Sequence, residues 1–395
     1  MERTGRARLT VGAEHGPLTG LLVADFSRVL AGPLAAMFLG DLGATVVKVE
    51  RPGTGDDSRA WGPPYVGTMS SYFASVNRNK RSVALSLDDP VGRDLARRLA
   101  SRADVLIENF RPGRLAAFGL DATSVLELNP AIVYCSVSGF GSEVGADIPG
   151  YDFVTQAVGG LMSITGEPAG EPTKVGVAIV DVLTGLHATI AILAAVRDRD
   201  RSGRGQHVEV NLLSSMLASL VNQGTSYLNG SGVPAAMGNR HPSIAPYETI
   251  AACDAPVALA VGNDRQFQLL CEVLGMSELA ADERFRTNSA RVAHRAALMA
   301  ALEPPFLTDT ADSWTSRLRA VGVPCGPVND LAGAFELAET LGLRPIIRFP
   351  EAAGGLGVST MANPIRFAGT PVSYHRAPPT LGQDTEEVKA WLATL

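Results

Sequence analysis

Hydrophobic and polar positions at the start of the chain form three blocks of different length. Short apolar runs at Leu18–Phe26 and Ala44–Glu50 flank a longer apolar run at Ala31–Gly43, which a glycine closes. Short buried runs are typical of strands and the longer run is typical of a helix, so the pattern predicts a strand, a helix and a second strand. Such units build parallel sheets, whose ligands bind beyond the carboxyl ends of the strands.

The same alternation continues along the chain. Further strands are predicted at Ser82–Leu87, Val105–Asn109, Ala131–Val137, His207–Asn211, Tyr247–Ala251 and Val257–Val261. Further helices are predicted at Pro90–Ala103, Gly185–Val196 and Leu212–Leu228. We therefore predict an α/β protein with a Rossmann-like large domain around a parallel sheet. The first turn carries no Gly-x-Gly-x-x-Gly motif, so a dinucleotide site of the usual kind is not predicted.

Changes in composition divide the chain into four predicted segments. Residues 1–16 are rich in arginine but lack an apolar stretch, and they are predicted to be a disordered N-terminal tail. The large Rossmann-like domain follows at 17–228, and a glycine-rich linker leads into a smaller α+β domain at 229–326. Residues 327–395 are rich in proline and glycine, so we expect a C-terminal arm that returns to the large domain.

Composition limits the expected partners and location. The net charge is −6, which argues against nucleic acid or an anionic membrane as a partner. Four scattered cysteines without a Cys-x-x-Cys pair predict reduced thiols in a cytoplasmic protein and no metal site. The longest apolar stretch, Val175–Val196, is interrupted by Asp181 and His187, so no membrane span is predicted.

A single carboxylate, that of Asp181, stands in an apolar run. Asp181 and His187 are the only ionisable side chains between Lys174 and Arg197. A carboxylate in such surroundings needs a partner or has a shifted pKa. One interpretation is that Asp181 is the N-cap of the following helix, since aspartate is favoured there. The other is a nucleophile, because a carboxylate in an apolar pocket can attack an activated acyl group.

Asp181 lies in one of several segments that resemble the motifs of a known family. These segments are Arg28–Pro33, Leu39–Ala44, Val49–Gly53, Asn77–Ser82, Glu108–Gly113, Gly150–Phe153, Ala178–Gly185, Gly238–Pro242 and Pro379–Gln383. In content and order they resemble the class III CoA-transferases of the formyl-CoA:oxalate type, whose superfamily includes the α-methylacyl-CoA racemases. The resemblance implies that Asp181 is the covalent nucleophile, and that two subunits form a homodimer of interlocked rings.

The resemblance also implies a substrate, coenzyme A or acyl-CoA, with no prosthetic group and no metal. It assigns CoA binding to Arg28, Val29, Leu30, Ala31, Arg51, Leu85, Asn109, Phe110, Arg114 and Tyr151. Gly262 and Asn263 correspond to a family loop that would bind substrate or supply oxyanion donors. Leu30 replaces the glutamine of oxalate-using members, and Ala117 replaces an arginine. The first departure argues against oxalate and formate. The second means that the phosphate contact of that arginine does not carry over, although Arg111 and Arg114 lie nearby in the sequence.

Three further segments are similar to those of succinyl-CoA:glutarate (hydroxymethylglutarate) CoA-transferases. They are Ala60–Pro64, Ser75–Lys80 and Leu161–Gly166. We therefore expect CoA to move from an acyl-CoA donor, succinyl-CoA, to a small dicarboxylate through aspartyl-anhydride and aspartyl-CoA intermediates. Arg111 or Arg240 would bind the distal carboxylate of the acceptor. Glutarate, itaconate, citramalate and other small diacids all stay open as acceptors.

Two alternative functions have different requirements. An α-methylacyl-CoA racemase or epimerase pairs the aspartate with a histidine in a Gly-His-Asp run, because moving a proton on Cα needs two acid/base groups. Tyr151 takes the place of that histidine here, which disfavours racemisation. A non-enzymatic scaffold would bind acyl-CoA without forming a covalent adduct.

Overall fold

The computed structural model of the chain describes residues 16–352 and 356–394. The predicted tail therefore lies, except for its last residue, outside the described residues. Two compact units are present. The first comprises the described parts of Met1–Leu161, Val175–Asn229 and Arg344–Leu395, and the second comprises Met162–Lys174 and Gly230–Leu343.

The regular elements of the described residues follow in chain order. The strands are β1 (Leu22–Asp25), β2 (Thr45–Glu50), β3 (Tyr65–Val66), β4 (Met69–Ser70), β5 (Lys80–Ala84), β6 (Val105–Glu108), β7 (Val133–Ser138), β8 (Gln206–Asn211), β9 (Tyr247–Ala251), β10 (Pro256–Ala260), β11 (Cys325–Pro327), β12 (Ile346–Ala352) and β13 (Leu356–Met361). The helices are α1 (Ala31–Asp41), α2 (Ser71–Ser75), α3 (Pro90–Arg102), α4 (Ala122–Leu128), α5 (Asp152–Val158), α6 (Leu161–Ile164), α7 (Ile179–Ser202), α8 (Leu212–Ser219), α9 (Val221–Leu228), α10 (Asp264–Val273), α11 (Ser277–Ala281), α12 (Asn288–Ala293), α13 (Arg295–Phe306), α14 (Ala311–Ala320), α15 (Leu331–Thr340) and α16 (Thr385–Ala393).

A six-stranded sheet organises the first unit. Its strand order is β5-β2-β1-β6-β7-β8, and every pairing in it is parallel. The predicted α/β class and parallel sheet are thereby confirmed. The chain proceeds from β1 through β2 to β5 in one direction and then from β6 to β8 in the other. Because the order reverses between β1 and β6, a ligand crevice is expected beyond the carboxyl ends of these two strands.

Helices cover both faces of this sheet. On one face, Leu99 of α3 and Leu392 of α16 share a buried cluster with Leu106 of β6. On the other face, Ala35 of α1 and Ile192 of α7 belong to a second buried cluster. Removal of these apolar side chains from water on both faces is the main stabilisation of a parallel sheet.

Helices α1 and α7 approach each other closely at Gly185. A Cβ atom on Gly185 would lie 2.8 Å from the Ala31 carbonyl oxygen and 3.1 Å from the Leu34 side chain. Any side chain there would force the two helices apart. Gly185 lies about one helical turn beyond Asp181. The contact therefore sets the distance between the candidate nucleophile and the turn that begins α1.

Helix α7 is longer at both ends than predicted. It begins two residues before Asp181 rather than at Gly185, so Asp181 lies inside its first turn. It also continues through a basic segment to Ser202, beyond the predicted end of the helix at Val196. Within that segment Arg199 pairs with Asp104 at 2.9 Å, and the pair holds the last turns of the helix against the sheet.

Length and hydropathy alone would allow α7 to cross a membrane. Ten of its residues are nevertheless buried in the protein, and Val180, Ala188 and Ile192 belong to the sheet core. This burial is that of a core helix in an α/β protein.

The helix predicted at Leu212–Leu228 is two helices, α8 and α9. They meet at Leu220 and Val221, where Val221 has a positive φ of 32°. A β-branched residue rarely adopts such a backbone, and nothing in the local apolar pattern signals the break.

A three-stranded antiparallel sheet in the order β11-β10-β9 organises the second unit. Phe267, Leu298 and Trp314, from α10, α13 and α14, lie in its core. The predicted domain end at 326 falls within β11, and the unit continues to Leu343. Strand β11 reads Cys-Gly-Pro, and glycine and proline are typical of linkers, which is why the sequence did not indicate a strand.

The C-terminal segment contains more regular structure than the loop-rich arm that was predicted. Strands β12 and β13 form an antiparallel pair, and α16 packs in the buried cluster that contains Leu106 of β6. Buried Asp41, at the end of α1, accepts hydrogen bonds from Arg78 and Asn79 and from Asn363 of the C-terminal segment. Arg78 also donates to the Met361 carbonyl oxygen at 2.9 Å. Buried polar groups thus tie this segment to α1.

Candidate active site

The crevice beyond β1 and β6 contains two cavities, both within the first unit. The Asp181 cavity, of about 400 Å³, is lined by Asp181 and by residues that follow β1, β6 and β7. The arginine cavity, of about 640 Å³, is lined by residues that follow β2 and β5 and by four arginines, Arg28, Arg51, Arg111 and Arg114. Arg28, Phe110 and Arg111 line both cavities. This arrangement suits an elongated anionic ligand with one end at Asp181.

The turn between β1 and α1 is held in a strained conformation. Val29 has a φ of +72°, which is costly for a β-branched residue. Its N–H donates to both carboxylate oxygens of Asp56, at 3.2 and 3.3 Å. The Arg28 N–H donates to Asn109 Oδ1 at 2.8 Å, and Asn109 Nδ2 donates to the Arg28 carbonyl at 2.7 Å. The turns after β1 and β6 are therefore tied together.

Two buried lysines hold the carboxylates beneath this turn. Lys48 pairs with Asp56 at 2.8 Å, and Lys80 pairs with Asp25 at 2.8 Å. Burial opposes the ionisation of Asp56, but the Lys48 ammonium outweighs it and lowers the pKa of Asp56 to about 2. Burial lowers the pKa of Lys80 to about 8 against the attraction of Asp25. Because each charge has a partner, these groups form a fixed polar frame.

Asp181 is the third residue of α7 and is only 8% exposed. Burial raises its pKa to about 7, and the negative charge of Asp152 adds to the shift. No cation of the described structure offsets these two effects. A carboxylate that is poorly solvated and unpaired is a stronger base and nucleophile than one in water.

The first turn of α7 is capped by Asp152 rather than by Asp181. Asp152 Oδ1 accepts a hydrogen bond from the N–H of Val180 at 2.7 Å and from the N–H of Asp181 at 3.2 Å. Ala178, which precedes the helix, provides no side-chain cap. The interpretation of Asp181 as an N-cap is therefore wrong, and its carboxylate is free for another role.

The arginines of the cavities are only weakly neutralised. Arg28 and Arg51 share one carboxylate, that of half-exposed Asp57. Arg111 pairs with Asp147 at 2.6 Å, and both side chains are mostly exposed. Exposed ion pairs contribute little, so an anionic ligand can displace these partners. In addition, Arg28 Nε is buried without a hydrogen-bond partner in the described part of the chain, and it remains available as a donor.

Every predicted CoA-binding residue lines one of the two cavities. The Asp181 cavity contains Arg28, Val29, Leu30, Ala31, Asn109, Phe110 and Tyr151. The arginine cavity contains Arg28, Arg51, Leu85, Phe110 and Arg114. Gly262 and Asn263 lie in the second unit, where Asn263 caps α10 by accepting from the Gln266 N–H at 2.9 Å. The binding roles of all these residues stay predictions.

Sequence reasoning missed Asp152, Asp56 and Lys48. Asp152 follows Tyr151 in a motif that was considered only for its tyrosine. A signal existed, since Asp152 is the only charged residue in α5. Lys48 and Asp56 lie on β2 and in the loop after it, and only the folded chain shows that they are paired and buried.

Comparison with known proteins gives consistent results. Residues 18–385 match the family described as CoA-transferase family III. The chain is 43% identical over 389 residues to the succinate--glutarate CoA-transferase of Agrobacterium fabrum, covering 96% of each protein. It is 40% identical to the acetyl-CoA:oxalate CoA-transferase of Acetobacter aceti, covering 91% of each. The crystal structure of a CAIB/BAIF family protein from Brucella suis is 42% identical with a TM-score of 0.85, covering 96% of this chain and all of that one.

An elongated site that is lined by arginines and ends at a buried carboxylate is suited to a CoA thioester, and the similar proteins are enzymes that transfer CoA. The protein therefore belongs to the class of the CoA-transferases. The chain belongs to CoA-transferase family III. Its substrate is an acyl-CoA, and the family indicates no prosthetic group.

Replacement of Asp181 by asparagine should stabilise the protein in alkaline solution. The pKa of this carboxyl rises from 3.8 to about 7 on folding. The folded state therefore holds a proton that the unfolded state loses, and stability falls as the pH rises through this range. The asparagine amide does not ionise, so the variant does not lose this stability as the pH rises. Between pH 5 and pH 8, the free energy of unfolding of Asp181→Asn should gain about 2–3 kcal/mol relative to wild type.

Urea unfolding at a series of pH values measures this difference. Asp198→Asn removes an exposed carboxylate from the same helix, and its difference from wild type should stay constant with pH. A constant difference for Asp181→Asn as well would mean that the pKa of Asp181 is not raised.

Proposed function

We propose that the protein transfers CoA from succinyl-CoA to a small dicarboxylate through covalent intermediates on Asp181. The observation that carries the proposal is a buried, unpaired carboxylate at one end of a site whose other end is lined by four arginines. Three of the arginines, Arg28, Arg51 and Arg114, suit the phosphates of CoA. The apolar walls beside Phe110 and Leu85 suit its adenine. The name of the Agrobacterium relative supports succinate and glutarate as the acyl groups.

The route has four balanced steps. An Asp181 oxygen attacks the donor carbonyl carbon and the C–S bond breaks. This step gives an aspartyl–acyl anhydride and free CoA thiolate. The thiolate then attacks the Asp181 carbonyl carbon, which releases the donor carboxylate and leaves an aspartyl-CoA thioester. The acceptor carboxylate attacks that thioester and releases the thiolate again. Finally the thiolate attacks the acceptor acyl carbon, which restores the Asp181 carboxylate.

The protein environment favours the first step in two ways. Burial leaves the Asp181 carboxylate poorly solvated, so less hydration is lost when it attacks the thioester. Each tetrahedral oxyanion needs hydrogen-bond donors in place before it forms. On the strength of the family resemblance alone, we propose the loop at Gly262 and Asn263 for this task. The Gly262 N–H donates to Gln266 Oε1 at 2.8 Å and would have to leave that acceptor.

We further propose that Arg111 selects dicarboxylate acceptors. Its guanidinium borders the Asp181 cavity, and among the described residues its ion-pair partner is exposed Asp147. A second carboxylate on the acceptor would replace Asp147 in a charge-assisted pair. Arg240, the other candidate, lies in the second unit, where its Nε donates to the Met237 carbonyl oxygen at 2.9 Å.

We also propose that the enzyme is a homodimer of interlocked rings. Several large apolar side chains of the first unit are half exposed or more, and they lie on helices α5, α7, α8 and α9. They are Phe153, Val158, Ile190, Leu217 and Leu228. A surface with this many exposed apolar groups on neighbouring segments is typical of a subunit interface.

Asp181→Asn should abolish CoA transfer while the protein still binds CoA. The amide is nearly isosteric, but it cannot form an anhydride. Transfer from succinyl-CoA to glutarate, followed by product mass analysis, measures turnover, and calorimetry measures CoA binding. Asp198→Asn on the same helix should transfer CoA at the wild-type rate. Substantial transfer by Asp181→Asn would contradict the mechanism.

Arg111→Ala should weaken dicarboxylate acceptors selectively. Loss of a charge-assisted pair should raise the KM for glutarate by about 10- to 100-fold and leave a monocarboxylate such as butyrate nearly unchanged. A panel of glutarate, succinate, itaconate, citramalate, oxalate and butyrate tests this expectation. Arg98→Ala removes another exposed, aspartate-paired arginine and serves as the control. Equal effects on mono- and dicarboxylates would exclude Arg111 as the selecting residue.

Sedimentation should show a dimer that Ile190→Glu converts into smaller or aggregated species, because a charge would enter the apolar interface. Val91→Glu places the same charge at an exposed apolar position on α3 and should leave the dimer intact. A wild-type protein that is a folded and active monomer would rule out the homodimer.

A further inference from the structure

The start of α7 is fixed from a different segment of the chain. Asp152 Oδ1 accepts the N–H groups of Val180 and Asp181, and Oδ2 accepts from Gln156 Nε2 at 2.7 Å. Gln156 is fully buried, and its Oε1 accepts the N–H of Val175 at 2.9 Å. Both oxygens of Asp152 are thus occupied, and the loop that enters α7 is tied to the same pair of side chains.

We propose that Asp152 is a positioning residue for the nucleophile, which fixes the first turn of α7 and sets a second negative charge beside the reacting carboxylate. The inference rests on the proposed function, because it gives Asp152 a task in the same covalent route. Asp152 acts through Asp181 rather than on the substrate. A helix cap needs only a hydrogen-bond acceptor, which an uncharged side chain also provides. The negative charge of Asp152 is not needed for the cap, and it has a separate effect on the neighbouring carboxylate.

That effect follows from the movement of charge during acylation. When Asp181 attacks the thioester, the C–S bond breaks and the negative charge departs with the CoA thiolate. Asp181 is then uncharged, and its repulsion by Asp152 disappears. The neighbouring charge therefore shifts the equilibrium from free enzyme towards acylated enzyme. It does so by the same repulsion that favours protonation of Asp181 over ionisation.

Other ionisable groups near Asp181 differ from Asp152 in charge or in partner. Tyr72 on α2 stays neutral, because burial and the charges of Asp181 and Asp152 raise its pKa to about 12. The groups around the cavity, beneath the turn and on neighbouring elements include the pairs Arg28 with Asp57, Arg111 with Asp147, Lys48 with Asp56, Lys80 with Asp25 and Arg78 with Asp41. They also include Tyr151, His187, His207, Glu209 and Glu108, and burial raises the pKa of Glu108 to about 7.

Two substitutions separate the charge from the cap. Asp152→Asn keeps an oxygen that accepts the N–H groups of α7 and removes the charge, although its Nδ2 can no longer accept from Gln156 Nε2. It should fold normally and move the acid limb of the kcat/KM profile to lower pH by roughly one unit. The fraction of acylated enzyme at equilibrium should fall about tenfold. Asp152→Ala loses the cap as well, and misplacement of the nucleophile should lower kcat by about 100-fold with little change in the KM for acyl-CoA.

A direct titration makes the test independent of turnover. In protein labelled with 13C at the aspartate side-chain carboxyl carbon, the Asp181 signal is assigned by its loss in Asp181→Asn. Its midpoint should lie near pH 7 in wild type and roughly one unit lower in Asp152→Asn, while Asp198→Asn matches wild type. Identical midpoints in wild type and Asp152→Asn would overturn the inference, and so would an unchanged acid limb. A shifted midpoint in an enzyme that forms no adduct would show that Asp152 acts on the ionisation of Asp181 and would refute the proposed mechanism, whereas an unshifted midpoint in an enzyme that forms the adduct would refute the inference alone.

Discussion

Burial of the Asp181 carboxylate without a counter-ion is the constraint on which the site depends. A carboxylate removed from water is unstable relative to its hydrated state, and the protein must hold it there by other interactions. The close contact at Gly185 presses α7 against α1, and Asp152 fixes the first turn from α5. The parallel sheet provides the crevice at which α1 and α7 both begin. The carboxylate is therefore held rigidly in a place where it is not stabilised, which is the condition for reactivity.

Three buried ion pairs of the first unit behave in the opposite way. Lys48 with Asp56, Lys80 with Asp25 and Arg78 with Asp41 are each matched at hydrogen-bond distance. Removal of one partner from such a pair leaves an uncompensated charge, so these groups tolerate little movement. Through Asp56 they hold the strained backbone at Val29, and through Asp41 they hold the C-terminal segment on α1. These ion pairs thus form a frame around the unpaired carboxylate of Asp181.

The sequence predicted much of this arrangement because its signals are local. Apolar runs predicted the strands that form the sheet, and a single carboxylate in an apolar run indicated Asp181. Features that depend on contacts between distant segments escaped prediction. Asp152 caps a helix that begins well beyond it in the chain, and the resulting bonds move the start of α7 ahead of Gly185. Strand β11 depends on pairing with β10, although its residues alone resemble a linker.

Chemical trapping on Asp181 tests the account most directly. Wild-type enzyme incubated with succinyl-CoA and quenched with hydroxylamine should carry a hydroxamate on Asp181, because both the anhydride and the thioester present an activated Asp181 carbonyl to the amine. Peptide mass analysis locates the modification, and enzyme treated without acyl-CoA should lack it. A hydroxamate on another carboxylate, or turnover with no modification of Asp181, would contradict the account.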